Sequence, residues 1–354
     1  MLIIDEFESQ IEKNIYDDNI GGSISVAIVK KNKIIWSKAF GASSINGNFL
    51  ATTDTIYRVG SITKSFTAFL MMQLVQDGVI ELDNPIEQYF PEIRELEGYS
   101  DSTKITFRQL ASHTSGLIRE PKLEKADSGP IEEWEDKVIQ SIPKTSFENK
   151  PGEESSYSNI GYGILGVALS RAANEPFIKM IEGKIFKPLN MDNSYFVVPK
   201  HRLENLAQGI VGGPFGDEEL DIEVPQNEHR GRGYKVPNGG IYSTPTDLGK
   251  FLMCNMENIN ILEKKYLEIM HTNQTPEKTR YSSVGLGFGL YQDKSISIVE
   301  HNGSVLGYSA NFGFEKEHGY GVVIMRNYNF GVTNLGLYTK ILLRKLADFE
   351  KQIF

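Results

Sequence analysis

Ser61 and Lys64 stand three residues apart in Tyr57-Arg-Val-Gly-Ser-Ile-Thr-Lys-Ser-Phe-Thr-Ala-Phe-Leu-Met-Met72. In a helix, that spacing places both side chains on one face, a single turn apart. Phe66, Ala68, Phe69 and Met72 follow and give the helix a side to bury. The pair is thereby set at the mouth of a core helix, where loss of water lowers a lysine pKa and readies the amine to take a hydroxyl proton. Gly60 permits a tight turn that leaves the Ser61 N–H free to face a bound carbonyl. This is the chemistry of an activated serine. A second copy, Ser141-Ile-Pro-Lys144, has the spacing without the setting, because Pro143 interrupts it and Thr145 to Glu154 are polar and turn-rich.

Two other groups carry polar chemistry. Pro151-Gly-Glu-Glu-Ser-Ser-Tyr-Ser-Asn-Ile-Gly-Tyr162 places Tyr157 and Asn159 two apart just before a helical stretch. In a loop, that spacing can aim both into one cleft, which a helix face could not do. A phenol passes protons if a nearby cation lowers its pKa, and an amide can hold a carbonyl or a lysine. His301-Asn-Gly-Ser304 lies at the end of a strand-like run. There Gly303 allows close approach of a substrate, and backbone N–H groups can meet a developing oxyanion. Each group alone has a plainer reading: Tyr157 as core filler, Asn159 as a helix N-cap, His301 as a structural histidine. His229-Arg-Gly231 repeats the His-x-Gly spacing in a turn-rich stretch and is read as incidental.

The elements that must position these groups are legible from periodicity. Ser23 to Lys31 and Lys33 to Phe40 read as a β-hairpin, with Trp36 packed on the sheet. Near the other end, Ser297 to His301, Gly307 to Phe314 and Gly319 to Arg326 are strand-like. From Leu335 to Phe354 a helix spaces Leu335, Tyr338, Leu342, Leu346, Phe349 and Ile353 along one face. The middle is helical or turn-rich: Ser61 to Asp77, Thr106 to Ala111, Ile131 to Ser141, Asn159 to Ala173, Phe177 to Ile185 and Thr246 to Glu257. Strand-forming ends therefore bracket a helical middle, which implies an α/β (α+β) fold whose antiparallel sheet uses both chain ends, with flanking helices. Residues 1–55 and 296–354 would form the α/β sandwich region and residues 56–295 the mainly helical region, with the site between them. Gly209 to Gly240 is a long Gly/Pro/acidic excursion whose shape cannot be read from its sequence.

Composition narrows the function classes. A chain of 354 residues, 40% hydrophobic, can bury a substantial core. A formal charge of -9 and the lack of a basic stripe with aromatics argue against nucleic acid. Cys254, the one cysteine, offers no disulfide framework and reads as a buried core thiol. No His-Glu-x-x-His or Cys/His cluster suggests a metal, and no cofactor is implied. The N-terminus reads as an acidic amphipathic helix rather than a signal peptide, and no run is long enough to span a membrane. Taken as written the chain is expected to be cytoplasmic, or secreted if a signal was removed from a precursor. Oligomeric state is not readable.

With these residues in place, the chain resembles the serine β-lactamase and penicillin-binding-protein-like family, especially its class C-like branch. Ser-x-x-Lys matches Ser61 and Lys64, Tyr-x-Asn matches Tyr157 and Asn159, and a His-x-Gly third motif matches His301 to Gly303. Leu110-Ala-Ser-His-Thr-Ser-Gly-Leu117 and Gly239-Gly-Ile-Tyr-Ser-Thr-Pro-Thr-Asp-Leu248 extend the likeness, in family order, over about residues 20 to 345. The resemblance implies acyl transfer through an acyl-enzyme: Ser61 as nucleophile, Lys64 and Tyr157 moving its proton, and Asn159 orienting Lys64 and the substrate. The N–H groups of Ser61 and Ser304 would form the oxyanion hole, and His113 would be structural. Expected substrates are small molecules or short peptides: a peptide, amide or β-lactam, as for a D-alanyl-D-alanine carboxypeptidase. An esterase, a D-aminopeptidase and a penicillin- or peptide-binding sensor with little turnover are the alternatives. Where the β-lactamase pattern has Lys-Thr-Gly, His301 is a mostly neutral group at pH 7. That weakens an efficient β-lactamase, unless Arg230 or Arg232 supplies the charge.

Overall fold

The computed structural model describes residues 2–45, 49–212, 220–223, 231–276 and 283–353. A six-stranded antiparallel sheet carries the order β2-β1-β8-β7-β6-β5. Its strands are β1 (Ser23–Lys30), β2 (Lys33–Gly41), β5 (Gly289–Gln292), β6 (Ser297–Val305), β7 (Tyr308–Glu315) and β8 (Tyr320–Arg326). A two-stranded ribbon pairs β3 (Tyr57–Arg58) with β4 (Tyr242–Ser243). Both chain ends meet where β1 pairs β8, from Ile24 opposite Arg326 to Lys30 opposite Tyr320.

The sheet is covered on both faces, which explains why β1 and β8 read as near-continuous apolar runs rather than alternating ones. Ile24, Val26, Ile28, Val322 and Ile324 face one core together with Leu342, Leu343 and Leu346. Ala27, Val29, Val323 and Met325 face the larger core, shared with the helical lobe. Helix α1 (Leu2–Asp18) and the C-terminal helix α10 (Leu335–Ile353) lie on the first face, and α8 (Pro245–Asn255) packs on β1 and β8 from the second. Trp36 meets Phe7 of α1 edge-on at 6.3 Å. The apolar stripe of α10 departs from expectation at one position. Phe349 is exposed, and Leu343 and Ala347 are buried, so the stripe turns toward them along the helix.

The helical lobe contains α2 (Thr63–Gln76), α3 (Phe107–Ala111), α4 (Trp134–Ser141), α5 (Asn159–Ala173), α6 (Phe177–Ile181), α7 (Val236–Gly239) and α9 (Lys264–Met270). Helix α2 is not the one-sided helix that Phe66, Ala68, Phe69 and Met72 suggested. Every residue from Thr63 to Leu74 is buried, as befits the central helix of a lobe. Phe66 stacks on Phe251 of α8 at 3.9 Å between ring centroids, tying lobe and sheet layers together. Cys254 is buried in the same layer, and burial pushes its thiol up to about 12. The second Ser-x-x-Lys copy ends α4, where the Ser141 hydroxyl donates to the Lys137 carbonyl and Lys144 is exposed. No helix among the described residues is long and apolar enough to cross a membrane.

Candidate active site

Ser61 sits in a 3-10 turn, Gly60–Ile62, that runs directly into α2, and Gly60 takes the left-handed φ of +55° that this turn requires. The turn sits over Gly303 of β6. A Cβ built on Gly303 would stand 1.9 Å from the Val59 carbonyl oxygen and 3.1 Å from Ser61 N. A Cβ on Gly60 would stand 3.0 Å from Ser304 N. Two glycines allow this seam, which sets Ser304 N close to Gly60 and Ser61 N close to Gly303. Strand β5 pairs β6 only from Ser297 to Glu300, so from His301 onward no described strand covers its outer edge.

Lys64 is fully buried, and its Nζ contacts three oxygens: Ser61 Oγ at 3.2 Å, Asn159 Oδ1 at 2.8 Å and the Asn238 carbonyl at 3.1 Å. Burial holds its pKa well below the ordinary lysine value. The Glu120 carboxylate pulls the other way, while Arg119, Lys235 and Arg232 push further down. A neutral amine has two N–H groups and one lone pair. In that form, with the Asn159 and Asn238 carbonyl oxygens taking the N–H groups, the lone pair is left for the Ser61 hydroxyl.

Asn159 is the first residue of α5, and the N-cap is its neighbour: Ser158 Oγ accepts from Gly161 N at 3.0 Å. That frees the Asn159 amide for the site, where its Nδ2 donates to Glu120 Oε1 at 2.6 Å. Tyr157 lies beside Ser61 in the loop before α5, and Lys64 Nζ lies 4.8 Å from its ring centroid. The phenol departs from the expectation of a lowered pKa. Arg119 stands over the ring at 4.9 Å and pulls the value down, yet burial outweighs it and carries the phenol to about 12. Tyr157 is therefore a neutral hydroxyl at pH 7. His113 is buried at φ +59°, its Nδ1 accepting from Ser158 N at 3.1 Å and its ring 4.2 Å from that of Tyr157. It braces the Tyr157 loop.

His301 is half-buried, with Nδ1 2.7 Å from the Asn302 carbonyl. Burial is the main cause pushing its pKa down to about 4, so it is neutral at pH 7. A cavity of about 820 Å³ borders His113, Tyr157, His301, Gly303 and Ser304 and continues past Asn311 to Lys340 of α10. Sequence reasoning missed Glu120, Asn238 and Lys235. Asn238 adjoins the Gly239-Gly-Ile stretch, but nothing in the pattern gave its carbonyl to Lys64. Of the two cations considered for the missing charge, Arg230 lies outside the described residues. Arg232 acts on Lys64 with Arg119 and Lys235, which flank Glu120 and Asn159.

Comparison with known proteins agrees with this architecture. Beta-lactamase-like protein 4 of Dictyostelium discoideum is 31% identical over 324 residues, 85% of this chain and 55% of that protein. Protein flp of Staphylococcus aureus strain N315 is 24% identical over 345 residues, 92% of this chain and 64% of that protein. The chain thus spans less than two-thirds of the length of these relatives. An octameric penicillin-binding protein homologue from Pyrococcus abyssi superposes with a TM-score of 0.81 at 27% identity, covering 98% of this chain and 77% of that one. A beta-lactamase/D-alanine carboxypeptidase from Yersinia pestis, at 22% identity and a TM-score of 0.76 over 98% of each chain, shares the fold. With residues 10–343 also matching the family model described as Beta-lactamase, the chain belongs to the beta-lactamase family.

Proposed function

We propose that this protein is a serine hydrolase working through an acyl-enzyme. The observation that carries the reading is the Lys64 amine, desolvated, held by two carbonyl oxygens and 3.2 Å from Ser61 Oγ. Lys64 takes the Ser61 proton as Oγ attacks the substrate carbonyl, and the oxyanion is met by the N–H groups of Ser61 and Ser304. Removing one such donor typically costs about 3 kcal/mol of transition-state stabilisation. Tyr157, neutral at pH 7, suits the role of acid: it hands its proton to the leaving group and regains one from the Lys64 ammonium. Water then attacks the Ser61 ester and releases the acid. The raised phenol pKa favours Lys64 over Tyr157 as the first base.

The substrate class is a peptide, amide or β-lactam, with D-alanyl peptides foremost, because Arg119 is 65% exposed beside Tyr157 and available to a substrate carboxylate. A neutral His301 in place of a permanent cation favours a second reading, hydrolysis of uncharged esters. Intact-protein mass spectrometry after exposure to a penicillin, a short-chain activated ester and a D-alanyl peptide, with Ser61→Ala alongside, tests both. A serine-dependent adduct or product is expected, and the reactive probe chooses the class. Labelling without turnover would turn the reading to a sensor; equal turnover by a folded Ser61→Ala protein would sink the mechanism.

A further inference from the structure

The Asn159 side chain is held at both ends, by Lys64 Nζ at Oδ1 (2.8 Å) and by Glu120 Oε1 at Nδ2 (2.6 Å). A carboxamide keeps its shape when its oxygen and nitrogen exchange places, so its orientation depends on its partners. In the deprotonated form that can take the Ser61 proton, Lys64 does not choose, since an amine both donates and accepts. Turned over, Asn159 would present Nδ2 to the lysine lone pair and draw it from Ser61. A carboxylate only accepts, so it admits the NH2 end alone. Glu120 is itself held by Lys235 Nζ at 3.5 Å, which Asp127 shares at 3.1 Å, with Arg119 Nε at 3.8 Å.

We propose that Glu120 is the positioning residue of this site: its carboxylate locks Asn159 with the carbonyl toward Lys64, so that the lysine lone pair faces Ser61, and it balances the cationic wall beside them. The role in turnover rests on the acyl-enzyme reading; the lock itself does not. The groups that face Lys64 come from every side. Glu120 and Arg119 follow α3, Lys235 and Arg232 precede α7, His301 belongs to β6, and Tyr157 and Tyr162 flank the start of α5, with His113 behind Tyr157. Among these, Glu120 is the one carboxylate acting on the lysine, opposed by three cations.

The test follows the Lys64 side chain by NMR of the full chain carrying 13Cε-labelled lysine, titrated with pH, with the signal assigned by Lys64→Arg. Acylation by the reactive probe is measured over the same pH range. Glu120→Gln keeps the length, loses the charge and can offer either end to Asn159. Its Lys64 midpoint should move to lower pH, and acylation above that midpoint should still fall about tenfold or more, with kcat rather than KM affected. Glu120→Asp keeps the charge but withdraws the oxygen, so it should lose rate with much less change in the titration. Lys235→Met removes an opposing cation and should move the midpoint upward, which provides a second reading if Glu120→Gln fails to fold. An unmoved titration in a folded Glu120→Gln protein, or midpoints moving the same way in Glu120→Gln and Lys235→Met, would overturn the proposal whatever the rates. Titrations that shift as stated in a protein that no probe acylates would uphold the charge balance at Lys64 and sink the hydrolase reading.

Discussion

Among the described residues, no carboxylate contacts the Lys64 amine; its partners are two carbonyl oxygens and a hydroxyl. Stability and chemistry are therefore opposed at one side chain. The unfolded chain holds the lysine proton up to about pH 10.4, whereas burial moves the folded value well below that. Between the two values the unfolded state binds more protons, so this group makes stability rise with pH and weakens the fold as pH falls. Lys64→Met removes that slope. Relative to wild type, the variant should gain stability as pH is lowered from 10 toward 7, whatever constant offset comes from the two abandoned carbonyls, while acylation falls about 10²–10⁴-fold. Denaturant midpoints at several pH values decide it; parallel pH profiles for the two proteins would contradict the buried neutral amine.

At the scale of elements, the seam between the Ser61 turn and β6 is the joint on which the geometry depends. Gly303 has backbone where a side chain would begin, with Val59 O 1.9 Å from the position of a Cβ. Backbone cannot yield as a flexible side chain can, so Gly303→Ala must push the turn and strand apart. Overpacking of this kind costs about 1–3 kcal/mol, and a displacement of about 1 Å at reacting atoms can cost about a hundredfold in rate. Acylation of the folded variant should fall by that order. Gly183→Ala, where nothing lies within 4 Å of the new Cβ, is the control and should leave both stability and rate near wild type. Comparable losses in both variants would show that the seam has no special role. The same seam explains why the third motif carries glycine: its Cβ space is occupied by the turn that bears the serine.

At the scale of the whole fold, three histidines among the described residues are held with depressed pKa values primarily by burial: His113 behind Tyr157, His301 on β6, and His271 packed edge-on to Phe288 and Phe314. All three are neutral in the fold at pH values where the unfolded chain is protonated. Below about pH 6.5 the unfolded state takes up protons that the native state refuses, so stability falls with acid, and the His301 share is fully lost near pH 4. Urea midpoints, which Lys64 already slopes gently between pH 8 and 7, should drop more steeply from pH 6.5 to 5, before most carboxylates titrate. A level midpoint across pH 5 to 7 would refute it. Because one of the three lies away from the site, the acid loss should persist in Ser61→Ala.

The sequence by itself determined the local units. Alternating and continuous apolar runs marked β1, β2, β6, β7 and β8, and periodicity marked α2, α5 and α10, because these patterns are set by backbone geometry within a few residues. It also exposed Ser61 with Lys64 and Tyr157 with Asn159, since each pair is carried on one short segment. What surrounds them was decided by tertiary structure. Glu120 and Asn238 reach Asn159 and Lys64, and Lys235 reaches Glu120, from segments distant in the chain, and no spacing rule encodes such meetings. The raised pKa of the Tyr157 phenol was likewise hidden, because desolvation depends on the whole packed lobe rather than on neighbours in sequence. Residue types state which chemistry is available; the burial of Lys64 between the Asn159 and Asn238 carbonyls determines which proton can move.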